Sequence, residues 1–192
     1  MRKLIITEFM SLDGVFEAPG PDGSGYKYEG WTFAYNSDEF MKFKIVELEL
    51  ADMLLLGRVT YKGFAKVWPK VSGDPFSDKF NKMPKYVVSK TLKKAQWNNS
   101  RIISDNVVEE IQKLKNQEGG NIVVHGSGRL ARFLLENGLV NEVTILLYPV
   151  VLGEGKQLFT GMHKTGLKLI EAKPFKSGVV VLRYQPVEKE QE

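Results

Sequence analysis

The sequence contains no cysteine and only two histidines among its 192 residues. Without thiols the chain can form no disulfide framework, no thiolate zinc or iron–sulfur site and no cysteine nucleophile. Two histidines leave little for a metal cage made of imidazoles, so we predict no metal site. Any chemistry must therefore use oxygen atoms, amines, the backbone or a bound cofactor.

Long apolar runs are also missing. Asn141, Glu142 and Thr144 interrupt the richest apolar stretch, so no segment reaches the ~18–20 apolar residues of a membrane helix. Residues 4–6 are too short to be the apolar region of ~7–15 residues in a signal peptide. We therefore predict a cytoplasmic protein with no membrane partner.

The excess of positive charge is small, with Lys+Arg 27 against Asp+Glu 23 and a formal net charge of +4. The basic residues are interleaved with acidic ones and form no dense stripe, so we expect no nucleic-acid partner. Local basic positions remain suited to holding a small anion.

The order of apolar segments predicts an α/β fold with a central mixed, mostly parallel sheet. Strands are predicted at residues 3–10, 53–56, 86–88, 101–103, 121–124, 142–152, 167–172 and 179–185, and helices at 38–50, from 58, at 107–115 and at 129–136. Strand–helix–strand passages followed by consecutive strands predict a parallel centre and antiparallel C-terminal strands. We predict a single domain over 1–192, with its core at about 3–185 and a short disordered tail at 188–192.

The strongest local signal is the glycine turn that follows the fifth predicted strand. Gly126, Ser127 and Gly128 lead directly into a helix whose first turn contains Arg129 and Leu130. A phosphate can bind the unpaired N–H groups of such a helix start, and glycines let the backbone approach it closely. The acidic ribose partner expected ~20 residues later in a dinucleotide fingerprint is not evident, so a plain tight turn remains an equal alternative.

Two other strand ends carry groups suited to phosphate. Gly57, Arg58 and Thr60 again combine a strand end, a glycine and a helix start, while Ser89 and Lys90 follow the next strand. A hydroxyl and an ammonium at a strand end suit an additional phosphate monoester, such as the 2′-phosphate of NADP. The alternatives are a solvated arginine with a threonine helix cap in the first case and a solvated turn in the second.

In this order the motifs resemble those of the dihydrofolate-reductase-like superfamily. Within it, the chain is most similar to the C-terminal reductase domain of the bifunctional riboflavin-biosynthesis deaminase-reductase and its stand-alone bacterial relatives. The resemblance covers about residues 3–185. It is carried by S-L-D-G at 11–14, L-L-L-G-R-V-T-Y at 54–61, V-V-S-K at 87–90, V-V-H-G-S-G at 123–128 and the segment 139–155.

The resemblance implies a three-layer fold, with helices on both faces of the sheet and NADPH lying across the strand ends. Residues 57–60 would bind phosphate, Ser89 and Lys90 the 2′-phosphate, and the turn at 126–128 with the start of its helix the pyrophosphate. Because there are no cysteines, the zinc motif of the deaminase half is absent.

The resemblance also places a substrate site beside the nicotinamide. Ser11, Asp13 and Gly14 match the family's S-x-D-G segment there, and Asp13 is the candidate catalytic residue. Trp31, in a long loop at 17–35 that is a candidate lid, offers a flat surface to a planar substrate, although the loop's aromatic residues equally suit core or dimer contacts. Asp38 is the candidate for the ring-anchoring carboxylate of dihydrofolate reductases, but its place at a helix start also suits the helix dipole, so folate reduction is not expected.

We therefore predict an NADPH-dependent reductase resembling dihydrofolate reductase and the riboflavin-pathway 5-amino-6-(5-phosphoribosylamino)uracil reductase. It would transfer hydride to an unidentified small heterocycle or carbonyl. The alternative is a non-catalytic nucleotide- or ligand-binding protein on the same scaffold. Apolar strands such as 142–152, read as exposed, predict a homodimer.

Overall fold

The computed structural model describes residues 1–21 and 23–187, and the tail predicted at 188–192 lies outside them. The elements are β1 (Leu4–Ser11), α1 (Asp38–Leu50), β2 (Ala51–Gly57), α2 (Arg58–Val67), α3 (Pro75–Lys82), β3 (Lys85–Val88), β4 (Ser100–Ile103), α4 (Val107–Lys115), β5 (Asn121–His125), α5 (Gly128–Glu136), β6 (Glu142–Tyr148), β7 (Leu167–Pro174) and β8 (Val180–Pro186). None of the helices within these residues is long and apolar enough to cross a membrane.

The eight strands form one mixed sheet in the order β4-β3-β2-β5-β1-β6-β8-β7. The six strands from β4 to β6 are parallel, whereas β8 runs antiparallel to both β6 and β7. This confirms the predicted parallel centre and antiparallel C-terminal strands. The carboxyl ends of the six parallel strands consequently lie along one edge of the sheet.

Helices cover both faces of this sheet. On β5, Ile122 and Val124 face a core shared with α4 and α5, while Val123 between them faces a core shared with α2 and α3. Alternate residues of a strand point to opposite faces, so the two cores lie on opposite sides. The helix α1 packs on the same side as α2 and α3, through Leu48. The predicted three-layer α/β fold is confirmed.

The helix α3 is an element that the sequence patterns above do not predict. Its start is well marked, because the Asp74 carboxylate accepts hydrogen bonds from the N–H groups of Phe76 and Ser77 and Pro75 occupies the first turn. Aspartate before the first turn and proline within it are both typical of helix starts. These two residues are the signal that identifies the helix.

The sixth strand is shorter than the predicted range 142–152. β6 ends at Tyr148, directly before Pro149, which has no N–H to donate to a neighbouring strand. β6 also lies between β1 and β8 and is largely buried, so reading it as an exposed strand is wrong. The homodimer stays a prediction. The edge strand β7 does expose apolar side chains, since Leu169 and Ile170 are each 51% exposed.

Near the edge of the sheet opposite β7, a buried lysine joins β3 to the end of α3. The Lys85 side chain is fully buried, and its ammonium donates to the carbonyl oxygens of Phe80 at 2.6 Å, Met83 at 2.8 Å and Asn81 at 3.3 Å. The Trp97 ring lies 4.3 Å from Nζ. Burial lowers the pKa of Lys85 to about 8, so the ammonium is still charged at neutral pH and ties the helix end to the sheet.

Replacing this lysine tests its contribution to stability. Lys85→Met keeps the apolar stem but leaves buried carbonyl groups without donors, so we expect the free energy of unfolding to fall by about 2–3 kcal/mol. Lys82→Met, at an exposed lysine at the end of α3, is the control and should stay within about 0.5 kcal/mol of wild type. Urea unfolding measures both changes, and equal effects of the two variants would contradict this role of Lys85.

Candidate functional site

The strand ends that carry the predicted site residues are consecutive in the sheet. β3, β2, β5 and β1 are neighbours in that order and mutually parallel. Their carboxyl ends span roughly 14 Å, or three strand spacings. The segments following all four ends therefore form one continuous surface, as parallel pairing requires.

The centre of this surface is the crevice between the ends of β2 and β5. The chain leaves β2 into α2, which packs on one face of the sheet, and leaves β5 into α5, which packs on the other. Ligands of open α/β sheets bind where neighbouring strands send their chains to opposite faces. The crevice between Gly57 and Ser127 has this topology.

The Ser127 hydroxyl joins the two helix starts across the crevice. It accepts a hydrogen bond from the Gly57 N–H at 2.9 Å and donates one to Oγ1 of Thr60 at 2.8 Å. The backbone of Ser127 has a φ of 64°, a left-handed conformation that non-glycine residues rarely adopt. Gly126 is also left-handed, and a Cβ there would lie 3.1 Å from Thr60 Oγ1. Three of the predicted cofactor-binding residues, Gly57, Thr60 and Ser127, are thus in direct contact.

Both helices begin without a capping side chain. Neither Gly57 before α2 nor Ser127 before α5 caps its helix with a side-chain hydrogen bond. Unpaired N–H groups and the positive end of the helix dipole favour an anion at such a start. Arg58 and Arg129, in the two first turns, are exposed to solvent, so the residues present fit a ligand carrying phosphates.

The predicted 2′-phosphate pair lies at the end of β3, one strand away from β2. Ser89 is buried, and its hydroxyl oxygen accepts hydrogen bonds from the N–H groups of Thr91 and Leu92 at 3.2 and 2.9 Å. Lys90 is exposed. The Ser89 hydroxyl therefore stabilises the turn, and the exposed ammonium of Lys90 is the group that can contact a phosphate.

The segment Ser11 to Gly14 forms a closed turn after β1. The Ser11 hydroxyl donates to Asp13 at 2.6 Å and accepts from the Val15 N–H at 2.9 Å, while Gly14 has a φ of +84°. The Asp13 carboxylate also accepts from the N–H of Gly153 at 2.8 Å. The Ser11 hydroxyl and these backbone donors lower the pKa of Asp13. The carboxylate is ionised at neutral pH and ties the turn to the segment after β6.

Trp31 lies beside this turn, next to the end of β6. Its indole N–H donates to the Glu17 carbonyl at 2.9 Å, and its ring meets the Tyr148 ring edge-on at 5.1 Å. Tyr148 is paired with Ser11 across β1 and β6. The structure therefore brings Trp31 and the predicted substrate residues Ser11 and Gly14 into one neighbourhood.

Asp38 does not face the sheet. It is exposed in the first turn of α1, whose buried side chains are Phe40, Lys44 and Leu48. The sheet-facing polar residue of this helix is therefore Lys44, which pairs with Glu47 and lies over the Phe9 ring. The spacing of four residues from Phe40 to Lys44 and on to Leu48 is the signal that places Lys44 on the buried face.

Three further polar residues missing from the predicted site residues lie in the middle of β1 and at the adjacent end of β5. Thr7 and Glu8 are 2% and 4% exposed, and Glu8 accepts a hydrogen bond from the Gly126 N–H at 3.0 Å. Burial lowers the pKa of His125 well below its ordinary value, and its ring packs against Phe80, so the geometry gives His125 a role in packing. A glutamate within a buried apolar strand is the signal that points to Glu8.

The glycines of the two helices give a matched stability test. A Cβ on Gly128 would lie 2.5 Å from Cζ of Phe16, whereas a Cβ on Gly63, inside α2, meets open space. We expect Gly128→Ala to lower the free energy of unfolding by about 1–3 kcal/mol through overpacking. Gly63→Ala should raise it by about 0.5–1 kcal/mol, since alanine favours the helix. Urea unfolding measures both, and changes of the same sign would contradict the close packing of Phe16 on the α5 start.

The sequence and the fold are similar to those of known proteins. The chain is 32% identical over 189 residues to YyaP of Bacillus subtilis (strain 168), covering 95% of this chain and 94% of that protein. Its fold is similar to that of a protein from Shewanella sp. PV-4 assigned to riboflavin biosynthesis, with a TM-score of 0.75 at 20% identity over 97% of this chain and 99% of that one. It is also similar to dihydrofolate reductase from Enterococcus faecalis complexed with NADP(H) and RAB-propyl, with a TM-score of 0.65 at 16% identity over 97% of each chain.

The fold is therefore the dihydrofolate-reductase-like fold that the sequence motifs indicate. Residues 2–181 match the family model described as the RibD C-terminal domain, and these residues contain every strand end of the candidate site. The chain belongs to the RibD C-terminal domain family.

Proposed function

We propose that this protein is an NADPH-dependent reductase that transfers hydride to a small heterocycle or carbonyl. Its family and its fold support a reductase-type function. The observation that carries the proposal is the pair of uncapped helix starts that the Ser127 hydroxyl holds together over the crevice between β2 and β5. Two such starts provide donors for the two phosphates of one pyrophosphate.

The strand ends around the crevice would each bind a different part of NADPH. The first turns of α5 and α2 would hold the pyrophosphate, with Arg58 and Arg129 beside it. Lys90, beyond β3, would meet the 2′-phosphate. The turn after β1 would border the nicotinamide, which supplies the hydride when the cofactor is bound.

The contribution of the chain to hydride transfer is orientation and the exclusion of water. The loop at 17–35 suits the second task, because it is tied to the segment after β6. Glu17 pairs with Lys156, and the Tyr26 hydroxyl donates to the Glu154 carbonyl at 2.6 Å. An ionised Asp13, engaged by its own turn, would act by holding that turn; its predicted catalytic role stays a prediction.

Titration with the two nicotinamide cofactors tests the proposal. We expect NADPH to quench tryptophan fluorescence saturably, and Lys90→Ala to weaken NADPH binding about five- to tenfold, because one exposed charge contact with phosphate contributes on the order of 1 kcal/mol. The affinity for NADH, which lacks that phosphate, should change little. Lys93→Ala, at another exposed lysine nearby, is the control.

Two results would contradict the proposal in different ways. Absence of saturable binding of either cofactor would remove the dinucleotide site, and equal losses of NADPH and NADH affinity in Lys90→Ala would remove the 2′-phosphate role of Lys90. Binding without any cofactor oxidation over a panel of folates, pyrimidines and quinones would favour the alternative of a non-catalytic nucleotide-binding protein.

The Ser127 hydroxyl itself can be removed. Ser127→Ala leaves the Gly57 N–H and the Thr60 hydroxyl without their shared partner, so we expect the NADPH dissociation constant to rise about tenfold. Ser104→Ala removes an exposed hydroxyl that bonds only to the neighbouring Asp105 among the described contacts, and should leave it unchanged. Isothermal titration calorimetry compares the two, and unchanged affinity in Ser127→Ala would show that binding does not depend on the link between the helices.

A further inference from the structure

Glu8 is a buried carboxyl group attached directly to the glycine turn of the candidate site. It follows Thr7, the last residue of β1 paired with β5, whose partner is His125. Its side chain is 4% exposed, and Oε2 accepts a hydrogen bond from the Gly126 N–H at 3.0 Å. Glu8 therefore lies behind the point where the chain leaves β5 for α5.

This hydrogen bond changes which donors the turn can offer to a ligand. The Gly126 N–H is engaged by Glu8, so the donors left for an anion are the N–H groups that follow it, in Ser127 and the first turn of α5. Gly126 and Ser127 are both left-handed, with φ values of 57° and 64°, and such a backbone needs its surroundings to hold it in place. Glu8 fixes the first of these two residues.

The surroundings of Glu8 suit a neutral acid better than a carboxylate. Its Oε1 is buried and has no hydrogen-bond partner among the described residues. The charged groups acting on it are Lys44 and Glu47 of α1, and the lysine is paired with that glutamate. On β5 the neighbouring His125 is partly buried, and desolvation lowers its pKa, which disfavours its charged form. Burial raises the pKa of Glu8 well above its ordinary value.

We propose that Glu8 is a positioning residue that holds the turn at 126–128 as a neutral carboxylic acid, so that anion binding at the start of α5 is coupled to its proton. Ionisation would place a negative charge directly behind the anion site and weaken the binding of phosphate groups. In taking the pyrophosphate of a dinucleotide as the natural anion, this inference rests on the proposed function.

The test compares wild type with Glu8→Gln, which has nearly the same shape and cannot ionise. We expect the NADPH dissociation constant of wild type, divided by that of Glu8→Gln, to rise about tenfold or more between about pH 6.5 and about pH 9. Because both proteins are measured with the same ligand at each pH, the ratio of the two constants cancels the effect of the ligand's own ionisation on binding. Glu8→Ala, which loses the acceptor for Gly126, should bind weakly at every pH. A constant ratio for wild type and Glu8→Gln, or equal affinity of the Ala and Gln variants, would overturn the proposal.

Unfolding without ligand gives a second readout if Glu8→Ala does not fold. A carboxyl whose pKa is raised in the folded state binds more protons there than in the unfolded chain, so stability falls as pH rises from about 4.5 through the folded-state pKa. We expect this fall in wild type relative to Glu8→Gln. Parallel curves for the two proteins would show that Glu8 does not carry the proton.

Inorganic pyrophosphate separates this proposal from the proposed function. Its binding is followed by the shift in melting temperature of wild type and Glu8→Gln over the same pH range. If pyrophosphate shows the Glu8-dependent pH profile and NADPH does not bind, the proposed function fails and the role of Glu8 stands. If neither ligand binds wild type at any pH, both proposals fail.

Discussion

The hydroxyl of Ser127 is the contact on which the geometry of the site depends. Parallel pairing of β2 and β5 brings their carboxyl ends within one strand spacing, but it does not fix how the two following helices face each other. By accepting from Gly57 and donating to Thr60, one side chain sets the start of α5 against the start of α2. Its left-handed backbone is unfavourable for any residue except glycine, and glycine could not supply the hydroxyl.

The buried polar side chains near the amino ends of the strands and those near the carboxyl ends differ in how completely they are hydrogen-bonded. Lys85, near the amino end of β3, has three carbonyl acceptors for its ammonium. Glu8 and Thr7, in the middle of β1 beside the carboxyl end of β5, each keep one oxygen without a hydrogen-bond partner among the described residues. Incomplete hydrogen bonding and displaced pKa values are typical of functional sites. In this chain Glu8 combines the two features, next to the edge that holds the two helix starts.

Local patterns account for most of the fold and fail where a long-range contact decides. The apolar runs before Gly57 and Gly126 predict two parallel strands with helices after them, and both are present. The apolar run of β6 continues in the sequence beyond Tyr148, through Pro149 to Leu152. Hydropathy alone does not show where pairing with the neighbouring strands ends, so the strand is predicted too long. The helix α3 is short, and its start is marked only by Asp74 and Pro75.

The sequence by itself determines which groups follow each strand: glycines that allow close approach, hydroxyl groups, and the basic side chains of Arg58, Lys90 and Arg129. The tertiary structure decides how these groups are used. It gives the Gly126 N–H to Glu8, 118 residues away in the chain, and joins Ser127 to Thr60 across 67 residues. Those partners depend on strand order and register, which are set by the packing of the whole sheet and not by the residues next to each turn.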